Sequence, residues 1–248
     1  MKKLFFAFAL TSALFSCKKE TSTPNNSGNT TTDTTKTSNQ TIGKPGPNIT
    51  DSEGNTYKTV FIGTQQWMAE NLKVSKYSDG TTIPNITDNT QWQNNTTGAS
   101  WAYYNNDAAN NAKYGKLYNW YAVSKTTNGN KNVCPTGWHV PTDVEWTVLT
   151  DYLGGASVAG GKLKEAGTTN WNSPNTDATN MSLFTGLPGG YRYNDGNYKD
   201  IGIFGIWWSS SEYSTSNVWY LALNSFYGGA NRNNDDERGG FSVRCLRD

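Results

Sequence analysis

The sequence predicts an α+β domain with short antiparallel sheets, two or three helices and long loops, and three observations carry that prediction. From Phe184 onward the chain is β-rich and punctuated by turns, one strong helix signal stands at Thr142, and all ten Trp and fourteen Tyr follow residue 50. A stretch of that length, 51–248, suits one domain with a sizeable core.

Within the β-rich part, glycine-rich loops at 186–190 and 194–196 precede the runs IGIFGIWWSSSEY, NVWYLALN and GGFSVRCLRD, which together read as a meander. Successive strand side chains face opposite sides, so neighbouring Trp207 and Trp208, or Trp219 and Tyr220, cannot both enter one core. Either both sheet faces are covered or one displays aromatic rings. A displayed face suits sugar recognition, because pyranose C–H surfaces stack on indole. Trp207, Trp208, Trp219 and Tyr220 are therefore candidate ligand-binding residues.

The helix signal is Thr142-Asp143-Val144-Glu145, a capping box in which the hydroxyl accepts the Glu145 amide and the glutamate reaches back. Val144, Val148 and Tyr152 recur every four residues, Leu149 and Leu153 widen that stripe, and Gly154-Gly155 ends the helix. This predicts a core-packing helix that buries this widened stripe. Gly160 to Glu165 reads as a second, shorter helix without the spacing of a phosphate-binding loop. Earlier, Asp51 to Asn55 is a turn leading into a strand over 57–62, closed by Gly63. Leu117 to Val123 is apolar nearly throughout, and periodicity does not separate helix from strand there.

The first twenty residues carry an address. Lys2 and Lys3 start a short apolar run, too short to span a bilayer, that ends in Leu14-Phe15-Ser16-Cys17. This is similar to a lipobox, which assigns 1–16 to a lipoprotein signal and makes Cys17 the lipid-bearing first residue of the mature chain. Lys18-Lys19-Glu20 resembles surface-export tags of Bacteroidetes lipoproteins. The expectation is a protein anchored by lipid to the bacterial outer membrane and exposed at the cell surface. Residues 17–50, with ten threonines between 18 and 50 and only Ile42 and Ile49 as large apolar side chains, read as a disordered tether.

With Cys17 lipidated, Cys134 and Cys245 remain in a compartment that permits disulfides, and only one pairing is open to them. Closing a loop of that length stabilises by up to about 4–5 kcal/mol in the chain-entropy model. A formal net charge of +1 with interspersed signs provides no basic stripe. Nucleic acid and a cationic lipid-binding face are therefore not expected, and the lipid anchor is the one expected membrane contact.

Several spaced motifs together resemble a known family. Asp51-Ser52-Glu53-Gly54-Asn55-Thr56-Tyr57, the stretch Gly63 to Leu72, Tyr114 to Tyr121, Cys134 to Pro141, Trp208 to Ser211 and Ser242-Val243-Arg244-Cys245 look like the Fibrobacter succinogenes major paralogous domain. The resemblance spans essentially all of 51–248. It implies a compact fold related to C-type-lectin-like domains and formylglycine-generating enzymes, and it implies little about activity, the family being known mainly as an exported module.

An enzyme on that scaffold lacks expected ligands. The paired cysteines that hold copper in formylglycine-generating enzymes are missing around Cys245, and His139 is the chain's one histidine, against the several an iron oxygenase needs. A Ser-His-Asp hydrolase would also have to use His139, and no G-x-S-x-G elbow accompanies it. Asp177, Asp195, Asp200 and Glu212 offer carboxylates for a glycosidase, as most chains do. Asp235-Asp236-Glu237, read as an acidic loop before the last strand, is a candidate calcium site, although the Glu-Pro-Asn and Trp-Asn-Asp tripeptides of calcium-dependent lectins are absent.

The expected function is a non-enzymatic surface module binding glycan or protein ligands. The alternatives are a structural surface component and, third, an enzyme. Intact-mass analysis of the mature protein is predicted to find acyl mass on Cys17; a mature chain without it contradicts the lipoprotein assignment.

Overall fold

The computed structural model describes residues 41–248. The signal segment, Cys17 and the tether up to residue 40 lie outside the described residues. The composition extends the tether to residue 50, whereas in the structure β1 (Lys44–Thr50) pairs antiparallel with β2 (Thr56–Ile62). Its apolar anchors are few, and Pro45 and Pro47 make the segment read as linker; both prolines fit an edge strand, which needs only one side of its backbone paired.

The architecture is α+β. β3 (Gln65–Met68), β6 (Trp138–His139) and β12 (Leu246–Arg247) complete a five-stranded sheet in the order β1-β2-β3-β12-β6. β9 (Phe204–Glu212), β10 (Asn217–Asn224) and β11 (Asn231–Asp236) form a three-stranded antiparallel meander. Two small ladders pair β4 (Trp101–Ala102) with β5 (Leu117–Tyr118), and β7 (Tyr191–Arg192) with β8 (Tyr198–Lys199). The helices are α1 (Asn89–Asn94), α2 (Asn110–Tyr114), α3 (Trp120–Val123), α4 (Asp143–Tyr152) and α5 (Ala156–Leu163). Of these, α4 and α5 alone exceed six residues. The apolar run at 117–123 is both alternatives in succession, with strand β5 followed by helix α3, and Asn119 caps the latter by accepting the Ala122 amide. No helix among the described residues is long and apolar enough to cross a membrane.

Both faces of the meander are covered. Trp207 pairs with Leu221 and packs with Trp67, Trp146 and Phe184 on one side; Trp208 pairs with Tyr220 and packs against Phe241 on the other. The sheet is thus the wall shared by two aromatic clusters. The disulfide Cys134–Cys245, 111 residues apart in sequence, joins the loop before β6 to the segment entering β12.

α4 forms with its capping box intact and ends at Gly154 and Gly155, whose φ of +99° and +96° suit glycine. Its buried face matches the expected one at Leu149 and Leu153 and differs at the Val144 line. Trp146, Leu149 and Leu153 are buried, whereas Val144 (69% exposed), Val148 and Tyr152 face outward. Both lines have helical spacing, and the one carrying tryptophan and two leucines removes more apolar area from water than two valines and a tyrosine.

Glu145 does more than close the box. Its Oε2 accepts the Thr142 N–H at 2.7 Å, and its Oε1 lies 3.0 Å from His139 Nε2. Burial alone would raise this carboxyl, but the Thr142 and His139 contacts outweigh it and hold the group below its ordinary value of 4.5. A depressed carboxyl stabilises the fold above that ordinary value and loses its contribution as pH falls through the folded one. Glu145→Gln is therefore predicted to lower unfolding free energy by about 1 kcal/mol at neutral pH. The gap from the parent protein should close on acidification, as read by urea titrations at the two pH values.

Candidate functional site

The expected stacking residues divide. Trp207 and Trp208 are wholly buried and present no face to a ligand, a correction that follows from the two-sided covering of the meander. Their indole N–H groups are also committed, Trp207 to Asn71 Oδ1 at 2.8 Å and Trp208 to the Tyr118 carbonyl at 2.7 Å. Tyr220 is half-buried with its ring edge on Phe241. Trp219 is half-buried beneath the Arg232 guanidinium, 3.3 Å from the ring centre, which Asp143 holds in a two-pronged ion pair. Exposed Tyr213 packs edge-on beside it.

The acidic triplet does not gather its carboxylates around one point. Asp235 and Asp236 belong to strand β11, not to a loop, so their side chains leave on opposite faces. Asp236 is occupied by Arg238, at 2.6 and 2.8 Å, and burial pushes the carboxyls of Asp235 and Glu237 up. Among the described residues no cluster of three or more His, Cys, Asp or Glu side chains is placed to hold a metal ion.

His139 lines a cleft of about 510 Å³ with Ser210 and Asp248, a serine-histidine-aspartate set in composition. Its geometry is that of a clamp. Nδ1 lies 2.6 Å from Asp248 Oδ1 and Nε2 3.0 Å from Glu145 Oε1, so both ring nitrogens face carboxylates and neither is turned to the serine.

What the chain does display is a pair of rings missed in the sequence. The six-residue turn between β10 and β11 carries Phe226, 63% exposed, and Tyr227, 46% exposed. The sequence signal is two adjacent aromatics followed by Gly228-Gly229, a hairpin tip rather than a strand. The tip is fixed from below by α5. Lys164, fully buried at the end of that helix, donates to the carbonyls of Thr176, Asn224 and Tyr227 at 2.8, 2.9 and 2.9 Å. Burial pulls this ammonium down to about 8, opposed by Asp177. The helix glycines are what admit the tip. A Cβ on Gly160 would lie 1.9 Å from the Gly229 carbonyl oxygen, and the Gly161 amide donates to the Gly228 carbonyl at 2.6 Å. The segment expected as a short helix is thus the seat of a display loop.

The resembling motifs converge at one buried side chain, Asn71. Asn71, from the Gly63–Leu72 stretch, accepts Trp207 Nε1 and Arg244 Nε on one oxygen and donates to the Tyr114 carbonyl and Ser242 Oγ. The family model for the Fibrobacter succinogenes major domain matches residues 60–247. The chain belongs to that family. No curated protein and no solved structure matches it. In this family member, four segments that share no continuous ladder meet at one carboxamide whose donors and acceptors are all used.

Lys164→Met keeps the volume but strands three part-buried carbonyls, and an unsatisfied polar group costs up to about 1–3 kcal/mol when buried. Unfolding free energy is predicted to fall by about 3 kcal/mol. Amide protection should drop first in the 225–230 turn, as measured by hydrogen exchange.

Proposed function

We propose that this protein is a lipid-anchored, non-enzymatic module on the outer-membrane surface of a bacterium, capturing glycans with a lectin-like α+β domain. The observation that carries the reading is the rigid display of Phe226 and Tyr227. Two large apolar rings standing in water are unfavourable unless a partner covers them, and here a buried ammonium and two helix glycines hold the turn that presents them. Adjacent rings on a fixed turn supply the flat apolar faces that pyranoses stack on, with little ordering cost on binding. The Tyr213–Trp219 pair, flanked by Asn217 and Asn234, supports the same reading at the other end of the β9–β10 hairpin. The lipobox at Cys17 supports the address, and the lectin-like fold and cell-surface exposure are part of the same proposal.

One feature favours a second reading, a structural surface component. Val144, Val148 and Tyr152 form an exposed apolar line along α4, which suits packing against protein. Sedimentation of the full chain separates the two, since self-association relieved by Val148→Lys supports packing.

Binding of the purified full chain to arrayed plant and bacterial polysaccharides is predicted to saturate and to be insensitive to chelator. Phe226→Ala and Tyr227→Ala should each weaken it by about tenfold or more, a typical anchor cost, with unchanged circular dichroism. Saturable binding that both variants retain in full contradicts this site.

A further inference from the structure

A cleft of about 640 Å³ is lined by neither of the displayed rings. One wall is β1 and β2, another the segment after β3, and the far wall the loop at 183–187. Its size is that of a small-molecule site. Three properties set its chemistry.

The first is unspent charge of both signs. Lys58 and Lys113 line the cleft, and neither has a carboxylate within 4 Å among the described residues. Glu165 lines it too; both its oxygens are held by Asn170 Nδ2, at 3.1 and 2.8 Å, which orients the carboxylate without neutralising it. Asn170 Oδ1 is buried without a protein partner, a second acceptor beside it. Glu70, by contrast, is already engaged by the Lys58 N–H at 2.8 Å and by Lys73 at 3.4 Å.

The second is a wall built in a costly conformation. Leu183 and Thr185 have φ of +57° and +53°, a region branched side chains avoid, and such strain persists only where surroundings enforce it. The enforcement is visible: buried Arg244 donates to the carbonyls of Phe184 and Thr185, and Asn180 Oδ1 accepts the Thr185 amide at 2.9 Å. The third is that no aromatic side chain lines the cleft, while Val60, Leu183 and Leu187 give it an aliphatic floor. A saccharide would find no stacking face there.

We propose that this cleft binds a zwitterionic amino-acid or short-peptide ligand, its carboxylate toward Lys58 and Lys113, its ammonium toward Glu165 and its side chain on the aliphatic floor. Charges of opposite sign that are not paired to each other, the carboxylate held in place by Asn170, match a ligand carrying both, and a preformed wall lowers the ordering cost of binding.

The test is calorimetric titration of the full chain with leucyl-leucine, its N-acetyl form and its C-amide form. Saturable binding is expected for the free dipeptide, weakened about tenfold or more by either cap. Lys58→Gln combined with Lys113→Gln, at exposed positions, should erase the penalty for the amide, and Glu165→Gln the penalty for the acetyl group. Phe226→Ala should leave all of this unchanged, which keeps the outcome separate from that of glycan capture. Absence of saturation by free amino acids and dipeptides up to about 10 mM, far above ordinary affinities, overturns the proposal. So does binding that survives N-acetylation in full, which would mark an anion site instead.

Discussion

Four cations are buried in this domain without a carboxylate partner among the described residues: Lys116, Lys164, Arg192 and Arg244. Each is bonded to loop carbonyls instead. Lys116 reaches the Lys73 carbonyl; Arg192 reaches those of Ile86, Thr87 and Gly196; Arg244 reaches Phe184 and Thr185. Aromatic faces complete their surroundings, Trp101 over Lys116, Trp92 and Tyr198 over Arg192, Phe184 over Arg244. The constraint behind this pattern is general. A fold with long buried loops has many carbonyls outside any ladder, and each must find a donor. Here long side chains with several N–H groups supply donors to as many as three carbonyls at once, and buried indoles supply others, as Trp101 does to Ile83 and Trp171 to Gly186.

The same arrangement sets where the molecule is rigid. A carbonyl gripped by a buried cation restrains the backbone on either side of it, and the 183–187 loop of the cleft and the turn that shows Phe226 and Tyr227 are both gripped in this way. Burial lowers the proton affinity of Lys116, Lys164, Arg192 and Arg244 alike, so the desolvation cost of their charge offsets part of what their bonds to carbonyls contribute. Such a design suits the proposed surface module, which would present side chains with little loss of entropy on binding, and the disulfide at Cys134 and Cys245 adds a covalent tie beside Arg244.

Much of the framework was legible in the sequence because its signals are local. The capping box at Thr142, the stop at Gly154-Gly155, the strand at 57–62, the β-rich final third and the cysteine pairing all rest on near neighbours or on counting. Choices between equivalent patterns were not legible. Two stripes on α4 have helical spacing, and packing against Trp67 selected Trp146 and its line over Val144 and its line. Adjacent Trp207 and Trp208 required both sheet faces to be covered or one to be displayed, and the presence of two clusters decided it. The display turn went unseen because Lys164, Gly160 and Gly161 act on residues more than sixty positions away, a relation no periodicity records. Strand β1 was hidden for the same reason, its order coming from β2 rather than from its own composition.

Arg244→Met tests the central claim most directly, because methionine offers the buried site an apolar side chain and no donor. If cation-to-carbonyl bonding holds the loops, unfolding free energy falls by about 3 kcal/mol or more. Hydrogen exchange then shows amides of 183–187 opening while those of β9 and β10 stay protected. Since replacing buried charge by apolar side chains is neutral or stabilising in some proteins, the opposite result is a real alternative. A change under about 1 kcal/mol with the 183–187 amides still protected would mean that apolar packing alone fixes the loops.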